Sequence, residues 1–160
     1  MAWRVWGETY ASTSDLSDGV LYCPIEPSEK TVLKACRTWV IIYGNPVFTS
    51  LSMKIYSNRI VSGQPTKGKL LFTSTNVQLK ADVHTLANGV KEIWFDFDYP
   101  VLRAGEFYHF VLTGSGYAPT PTAHIAWMKT FPDPFYPGVT PNWINMNKLP
   151  YQLYIIGSDF

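Results

Sequence analysis

Charged residues are scarce in this chain, and no stretch of it is strongly basic. Asp, Glu, Lys and Arg make up 16% of the 160 residues, below the usual level of about a quarter. Thirteen basic and twelve acidic side chains give a net charge of +1. Because nucleic acids and anionic membranes are bound by concentrated positive charge, the sequence predicts neither partner.

The sequence also lacks the segments that direct a chain to a membrane or hold it there. The N-terminus has neither a basic region followed by an apolar stretch nor a small-residue cleavage site. No apolar run approaches the roughly 20 residues of a transmembrane helix. We therefore expect no export by the general secretory route and no membrane insertion.

Cysteine is rare, since only Cys23 and Cys36 occur. A chain of this length can bury a full core without disulfide or metal staples. The sequence therefore favours two buried thiols, with a bridge between neighbouring strands as the alternative.

Familiar catalytic motifs are missing as well. The chain has no Gly-x-Ser-x-Gly elbow, no His-Glu-x-x-His, no P-loop and no glycine-rich dinucleotide fingerprint. Asp96 and Asp98 have the chemistry of a glycosidase pair, but on one strand their side chains would start only about 7 Å apart. No apolar pocket that would raise the pKa of one of them is visible in the sequence. We expect a non-enzymatic protein and keep a polysaccharide-active enzyme as an outside alternative.

Aromatic residues, in contrast, are plentiful at 16% of the chain, and many alternate with polar residues. The segment 91–98 has the period of a strand with one buried face, its two faces being Ile93, Phe95 and Phe97 against Trp94, Asp96 and Asp98. The segment 106–113 alternates similarly, and a short connection with a proline and a glycine separates the two. We predict an antiparallel hairpin over residues 91–114.

Strand patterns recur along the whole chain between clusters of glycine, proline and asparagine. We predict ten strands near residues 3–10, 19–23, 32–43, 50–57, 68–75, 77–84, 90–98, 106–113, 122–129 and 150–157. No segment keeps a helical period over three turns. The sequence therefore predicts an all-β fold, an antiparallel two-sheet β-sandwich of jelly-roll topology, as a single domain over residues 1–160.

The apolar faces of the central strands define the predicted core. Its members are Leu51, Met53, Ile55, Phe95, Phe97, Tyr108, Phe110 and Leu112. The strand near 150–157 is apolar on both faces, so we expect it inside a sheet and not at an edge.

Five motifs follow one another over about residues 50–157: LSMKIYSN, GQPTKGKLLFTS, VKEIWFDFDYPVLRAGEFYHFVLTG, HIAWMKTFPDPFYPG and LPYQLYIIG. In this order they resemble a widespread jelly-roll sandwich module that looks like carbohydrate-binding modules. Such modules occur in bacterial extracellular proteins and in phage virion and tail proteins. One departure is Val139, which stands where the loop after Tyr-Pro-Gly usually carries a second glycine.

The resemblance implies a recognition protein. We expect a non-enzymatic phage virion protein, with a structural, decoration or adhesion role, that contacts other virion proteins, further copies of itself or the host surface. Its expected location is the virion. The alternative is a carbohydrate-binding module of an extracellular protein, with a cell-surface glycan as its ligand.

Aromatic and acidic side chains are the candidate contact residues. Trp94 with Asp96 and Asp98 would place a ring beside two acceptors, as sugar recognition requires, whereas packing of the ring under a loop is the alternative. A second candidate platform consists of Trp127 together with Tyr136 and Trp143 from the aromatic segment 130–149. Packing of that segment as a hydrophobic cluster is again the alternative.

Asp15 and Asp18, in the sequence SDLSDG, are the candidate metal ligands. The resemblance implies calcium here, because jelly-roll modules of this kind often hold a structural ion with Asp side chains and backbone carbonyls. The alternative is an ordinary turn that favours aspartate for its local backbone contacts. We expect no other cofactor.

Overall fold

The computed structural model describes the backbone of residues 3–6, 12–15, 23–27, 30–83, 90–129, 139–140 and 153–158, and the side chains of residues 27, 30–63, 67–83 and 91–126. In chain order the elements are β1 (Trp3–Trp6), β2 (Ser12–Asp15), β3 (Cys23–Pro27), β4 (Thr31–Tyr43), β5 (Ser50–Val61), β6 (Gln64–Thr73), β7 (Gln78–Leu79), α1 (Lys80–Val83), β8 (Val90–Asp96), β9 (Val101–Leu102), β10 (Tyr108–Ser115), β11 (His124–Lys129), β12 (Val139–Thr140) and β13 (Leu153–Ser158).

These strands form two antiparallel sheets, one of seven strands and one of six. The predicted all-β sandwich is therefore confirmed. Its jelly-roll connectivity stays a prediction. The helix α1 is four residues long, and no helix of the described residues is long and apolar enough to cross a membrane.

Strand β4 organises the seven-stranded sheet. Along one edge it pairs with β13 and then with β11, and along the other edge it pairs with β9 and then with β8. Strands β1 and β2 lie outside β13 and β11. The prediction that the C-terminal strand is interior is confirmed, because β13 pairs with both β1 and β4.

Strand β5 has the equivalent role in the six-stranded sheet. It pairs with β10 along one edge, and with β6 and β7 along the other. Strand β3 lies beyond β10, and β12 lies beyond β3.

The predicted hairpin over residues 91–114 is wrong. Strand β8 pairs with β4 in the seven-stranded sheet, whereas β10 pairs with β3 and β5 in the six-stranded sheet. Residues 97–107 are too many for a tight turn, and within them Val101–Leu102 pairs with the start of β4. The apolar faces of the two strands are buried equally well when they meet across the sandwich.

The predicted core is confirmed in full, since all eight residues are at most 4% exposed. Phe95 and Phe110 are the largest of the fully buried side chains. Cys36 is fully buried. Its predicted alternative partner, Cys23, belongs to β3 in the other sheet.

The predicted strand at 77–84 also differs from the structure. Only Gln78–Leu79 is extended, and the chain then turns into α1. The Lys80 N–H donates to the carbonyl of Thr49, and the Lys80 Nζ donates to the carbonyl of Pro46 at 2.7 Å. This turn brings Val83 into the core, where it is 1% exposed. Alternation along an extended segment would not require this burial.

Candidate functional site

The outer face of the seven-stranded sheet carries a cluster of aromatic and charged side chains. Residues directly opposite each other in an antiparallel pair share a face. Arg37 lies opposite Trp94, and Trp39 lies opposite Glu92. The intervening residues of β4, Thr38 and Val40, are fully buried, so these four side chains lie on the side away from the core. We call them the outer-face cluster.

The Arg37 guanidinium lies close to two indole rings. Its Cζ atom is 4.5 Å from the ring centre of Trp39 and 5.1 Å from that of Trp94. Both distances are within the range of a cation–π contact. The Arg37 side chain is 18% exposed, so it is partly desolvated and its contacts with the rings are stronger than on an open surface.

Glu92 contacts both Trp94 and Arg37 through its carboxylate. Its Oε1 accepts a hydrogen bond of 2.8 Å from the indole Nε1 of Trp94, and its Oε2 lies 3.6 Å from the Nη1 of Arg37. One carboxylate thus orients both the ring and the guanidinium. The cluster has a defined shape before any partner arrives.

Among the described residues β8 pairs only with β4, and its outer edge is covered by side chains of Asn76, shortly before β7, and Gln78, the first residue of β7. The carbonyl of Trp94 accepts hydrogen bonds from Asn76 Nδ2 at 3.1 Å and Gln78 Nε2 at 2.6 Å. The N–H of Asp96 donates to Asn76 Oδ1 at 2.6 Å, and its carbonyl accepts from the N–H of Thr75. These contacts fix the strand that carries Trp94 and occupy edge groups that another strand would otherwise use.

The two predicted aspartates differ in position. Asp96 lies opposite Ala35 on the same face as Trp94, and its side chain is exposed. Asp98 is also exposed, but it follows the end of β8 and precedes Tyr99, whose φ is 52°. The structure therefore brings Trp94 and Asp96 onto one face and leaves Asp98 on the connection to β9.

The second predicted platform has a different placement. Trp127 lies in β11 directly opposite Val40 of β4, whereas Trp94 lies directly opposite Arg37. Tyr136 and Trp143 lie outside the described residues. The role of all three in partner contact stays a prediction.

The predicted calcium site stays a prediction as well. Asp15 is the last residue of β2 and lies opposite Ala126, so it belongs to a strand and not to the loop in which we expected it. Asp18 lies outside the described residues. Among the side chains that are described, no three His, Cys, Asp or Glu residues are grouped to hold a metal ion.

Sequence reasoning missed Arg37, Trp39 and Glu92. The alternation along β4 puts Arg37 and Trp39 on one strand face, which a reading of that segment could have found. Their proximity to Trp94 depends on the pairing of β4 with β8, which are separated by four other elements. In the sequence Asn76 has no signal beyond that of an ordinary turn residue, and Gln78 has none beyond that of a strand residue.

A second polar group lies within the six-stranded sheet. His109 is fully buried in β10, and its Nε2 lies 2.9 Å from Asn58 Oδ1. Burial lowers the pKa of His109 to about 4, because a charged imidazolium would lose its hydration. The neighbouring Val111 on the same face of β10 is also buried, so β10 is covered on both sides.

No family model, curated protein or solved structure matches this chain. The resemblance to jelly-roll modules therefore rests on the five sequence motifs, and it agrees with the structure at the level of a two-sheet sandwich.

Proposed function

We propose that this protein is a non-enzymatic virion structural or adhesion protein that contacts a partner subunit or the host surface through the outer-face cluster. The observation that supports this proposal most is the Trp39–Arg37–Trp94 arrangement. Tryptophan and arginine are the residue types that contribute most to the energy of protein contacts.

The hydrogen bonds and the ion pair that position the cluster support a contact role. Glu92 orients Trp94 and Arg37, while Asn76 and Gln78 hold the strand beneath them. Side chains that are ordered in advance lose little conformational entropy when a partner binds. Such an arrangement favours recognition without any need for a catalytic group.

A glycan is the alternative partner, and one observation favours it. Trp94 and the exposed carboxylate of Asp96 share a face of the sheet, which combines a ring for sugar C–H groups with an acceptor for hydroxyl protons. On this alternative the chain is a carbohydrate-binding module of an extracellular protein.

Two variants and one control test the proposal. Trp94→Ala and Trp39→Ala each remove one ring, whereas Tyr43→Ala removes an aromatic ring at another outward position of β4. We expect the two tryptophan variants, and not the tyrosine variant, to lose incorporation into virions or adsorption to host cells.

A glycan array with the same proteins separates the two partners. Retention of a defined glycan by the wild type, lost in Trp94→Ala, would favour the carbohydrate-binding alternative. Hydrolysis of a polysaccharide that Asp96→Asn abolishes would overturn the non-enzymatic proposal.

A further inference from the structure

The hairpin of β5 and β6 extends beyond the sheet that carries it. Pairing of β10 with β5 ends where Tyr108 lies opposite Ser57, whereas β5 and β6 stay paired as far as Val61 and Gln64. Residues 58–69 therefore form a two-stranded arm whose strands pair only with each other in the described part of the chain. Isolated two-stranded hairpins are only marginally stable in water, so such an arm gains from a contact.

The hairpin concentrates positive charge that the linear sequence spreads out. Residues 50–73 contain four basic residues and no acidic one, namely Lys54, Arg59, Lys67 and Lys69. Since the whole chain has a net charge of +1, four positive charges here leave −3 for all other residues. A basic hairpin is complementary to a surface that presents exposed carboxylates.

Apolar side chains are exposed on the same hairpin. Ile60 is 61% exposed and Val61 is 43% exposed near the tip, and Leu70 and Leu71 are 44% and 39% exposed on β6. Successive residues of a strand face opposite ways, so exposed apolar groups lie on both faces of the hairpin, where a partner would cover them. The mixture of apolar and basic groups fits a protein surface with apolar and acidic groups.

Such a surface lies at the connection from β8 to β9. Tyr99 is 53% exposed and Val101 is 43% exposed, and Asp96 and Asp98, at the end of β8 and just before Tyr99 in the chain, are exposed as well. Tyr99 has a φ of 52°, a left-handed conformation that is unfavourable for tyrosine. Residues held in such conformations concentrate at binding sites. We call these four residues the acidic rim.

We propose that the arm of one copy docks on the acidic rim of a second copy. Arg59 and Lys69, both exposed, supply the charges that meet Asp96 and Asp98, while the apolar tip covers Tyr99 and Val101. Because arm and rim are different surfaces, the contact is either reciprocated in a closed dimer or repeated from copy to copy. This inference does not depend on the outer-face cluster.

A charge-exchange experiment tests the proposal by sedimentation of the full chain. We expect the wild type to self-associate with rising concentration, and less so at high salt. The double variant Arg59→Glu with Lys69→Glu reverses the charge of the arm. The double variant Asp96→Lys with Asp98→Lys reverses the charge of the rim. Each double variant should self-associate about tenfold more weakly, while an equimolar mixture of the two should restore association, because a negative arm then meets a positive rim.

Two further variants distinguish charge from shape. Arg59→Lys with Lys69→Arg keeps the charge and should associate like the wild type. Ile60→Ser with Val61→Ser keeps the charge but removes the apolar tip, and should associate more weakly with an unchanged far-ultraviolet circular dichroism spectrum.

Three results would overturn the proposal. The first is a wild type that stays monomeric from micromolar to millimolar concentration. The second is a mixture of the two charge-reversed variants that stays as weakly associated as either alone, since the arm would then use another surface. The third is a monomeric wild type that binds heparin or vesicles of anionic lipid and loses this binding when the charges of the arm are reversed. That result would identify a polyanion as the partner.

Discussion

Arg37 lies directly opposite Trp94 in the pairing of β4 with β8, and its guanidinium carbon is 5.1 Å from the centre of the indole ring. The same guanidinium is 4.5 Å from Trp39 on its own strand. One cation thus joins two rings from strands that are far apart in the sequence. This relationship defines the surface to which we assign function.

We expect Arg37→Met to destabilise the fold by about 1–2 kcal/mol, the range of a partly desolvated cation–π contact together with an ion pair. Glu92→Gln is the matched control, because an amide oxygen still accepts from the Trp94 indole while the charge is lost. Its expected effect is below about 1 kcal/mol, as for an exposed ion pair. Urea denaturation measures the free energy of unfolding of both variants. Equal midpoints for Arg37→Met and the wild type would show that the guanidinium does not stabilise the rings.

Phe110→Ala should destabilise the fold by about 3–5 kcal/mol, because the ring is fully buried between the sheets and its removal leaves a cavity. Val47→Ala is the control, since Val47 is 62% exposed and its truncation should change stability by less than about 0.5 kcal/mol. Thermal denaturation gives the comparison. An unchanged melting temperature for Phe110→Ala would contradict the core.

Stability should fall as the pH is lowered from 6.5 to 4. The pKa of His109 is about 4 in the folded state, below its ordinary value near 6.5, so in this window the unfolded chain binds a proton that the folded chain does not. The loss should reach about 3 kcal/mol near pH 4 and then level off for this residue.

His109→Gln should flatten that pH dependence, because an amide can still contact Asn58 but does not titrate. His124→Gln, which changes a half-buried histidine on β11, serves as the control for the loss of a histidine at another site. Denaturant midpoints at pH 4, 5, 6 and 7 provide the data. A His109→Gln variant as acid-sensitive as the wild type would show that another group is responsible.

Asn76→Ala should destabilise the fold by about 1–3 kcal/mol, since it removes partners from the N–H of Asp96 and the carbonyl of Trp94. It should also raise hydrogen exchange at the Asp96 amide. Asn45→Ala, at an exposed position in the turn after β4, is the control. Unchanged exchange at Asp96 in Asn76→Ala would mean that the side chain does not protect the edge of β8.

The sequence predicted the core more accurately than the pairing of strands. Alternation along β8 and β10 identified Phe95 and Phe110 as buried, because a period of two depends only on local geometry. It could not assign the two strands to one sheet or to two, since either arrangement buries the same faces. The burial of His109 on the second face of β10 also depends on contacts that alternation does not report.

The candidate site was predictable only in part. Trp94 and Asp96 were found because they share the polar face of one strand. The contacts of Arg37 and Glu92 with Trp94 depend on the register of β4 with β8, which the sequence does not report. The basic hairpin was missed for the same reason, since Arg59 and Lys67 lie near each other only when β5 pairs with β6.

The most direct test of the proposed function is adsorption to host cells by Trp94→Ala, compared with Tyr43→Ala and the wild type. We predict that Trp94→Ala folds, keeps a cooperative thermal transition and loses adsorption or incorporation into virions, while Tyr43→Ala retains both. Equal adsorption and incorporation of all three proteins would contradict the assignment of the outer-face cluster as the contact surface.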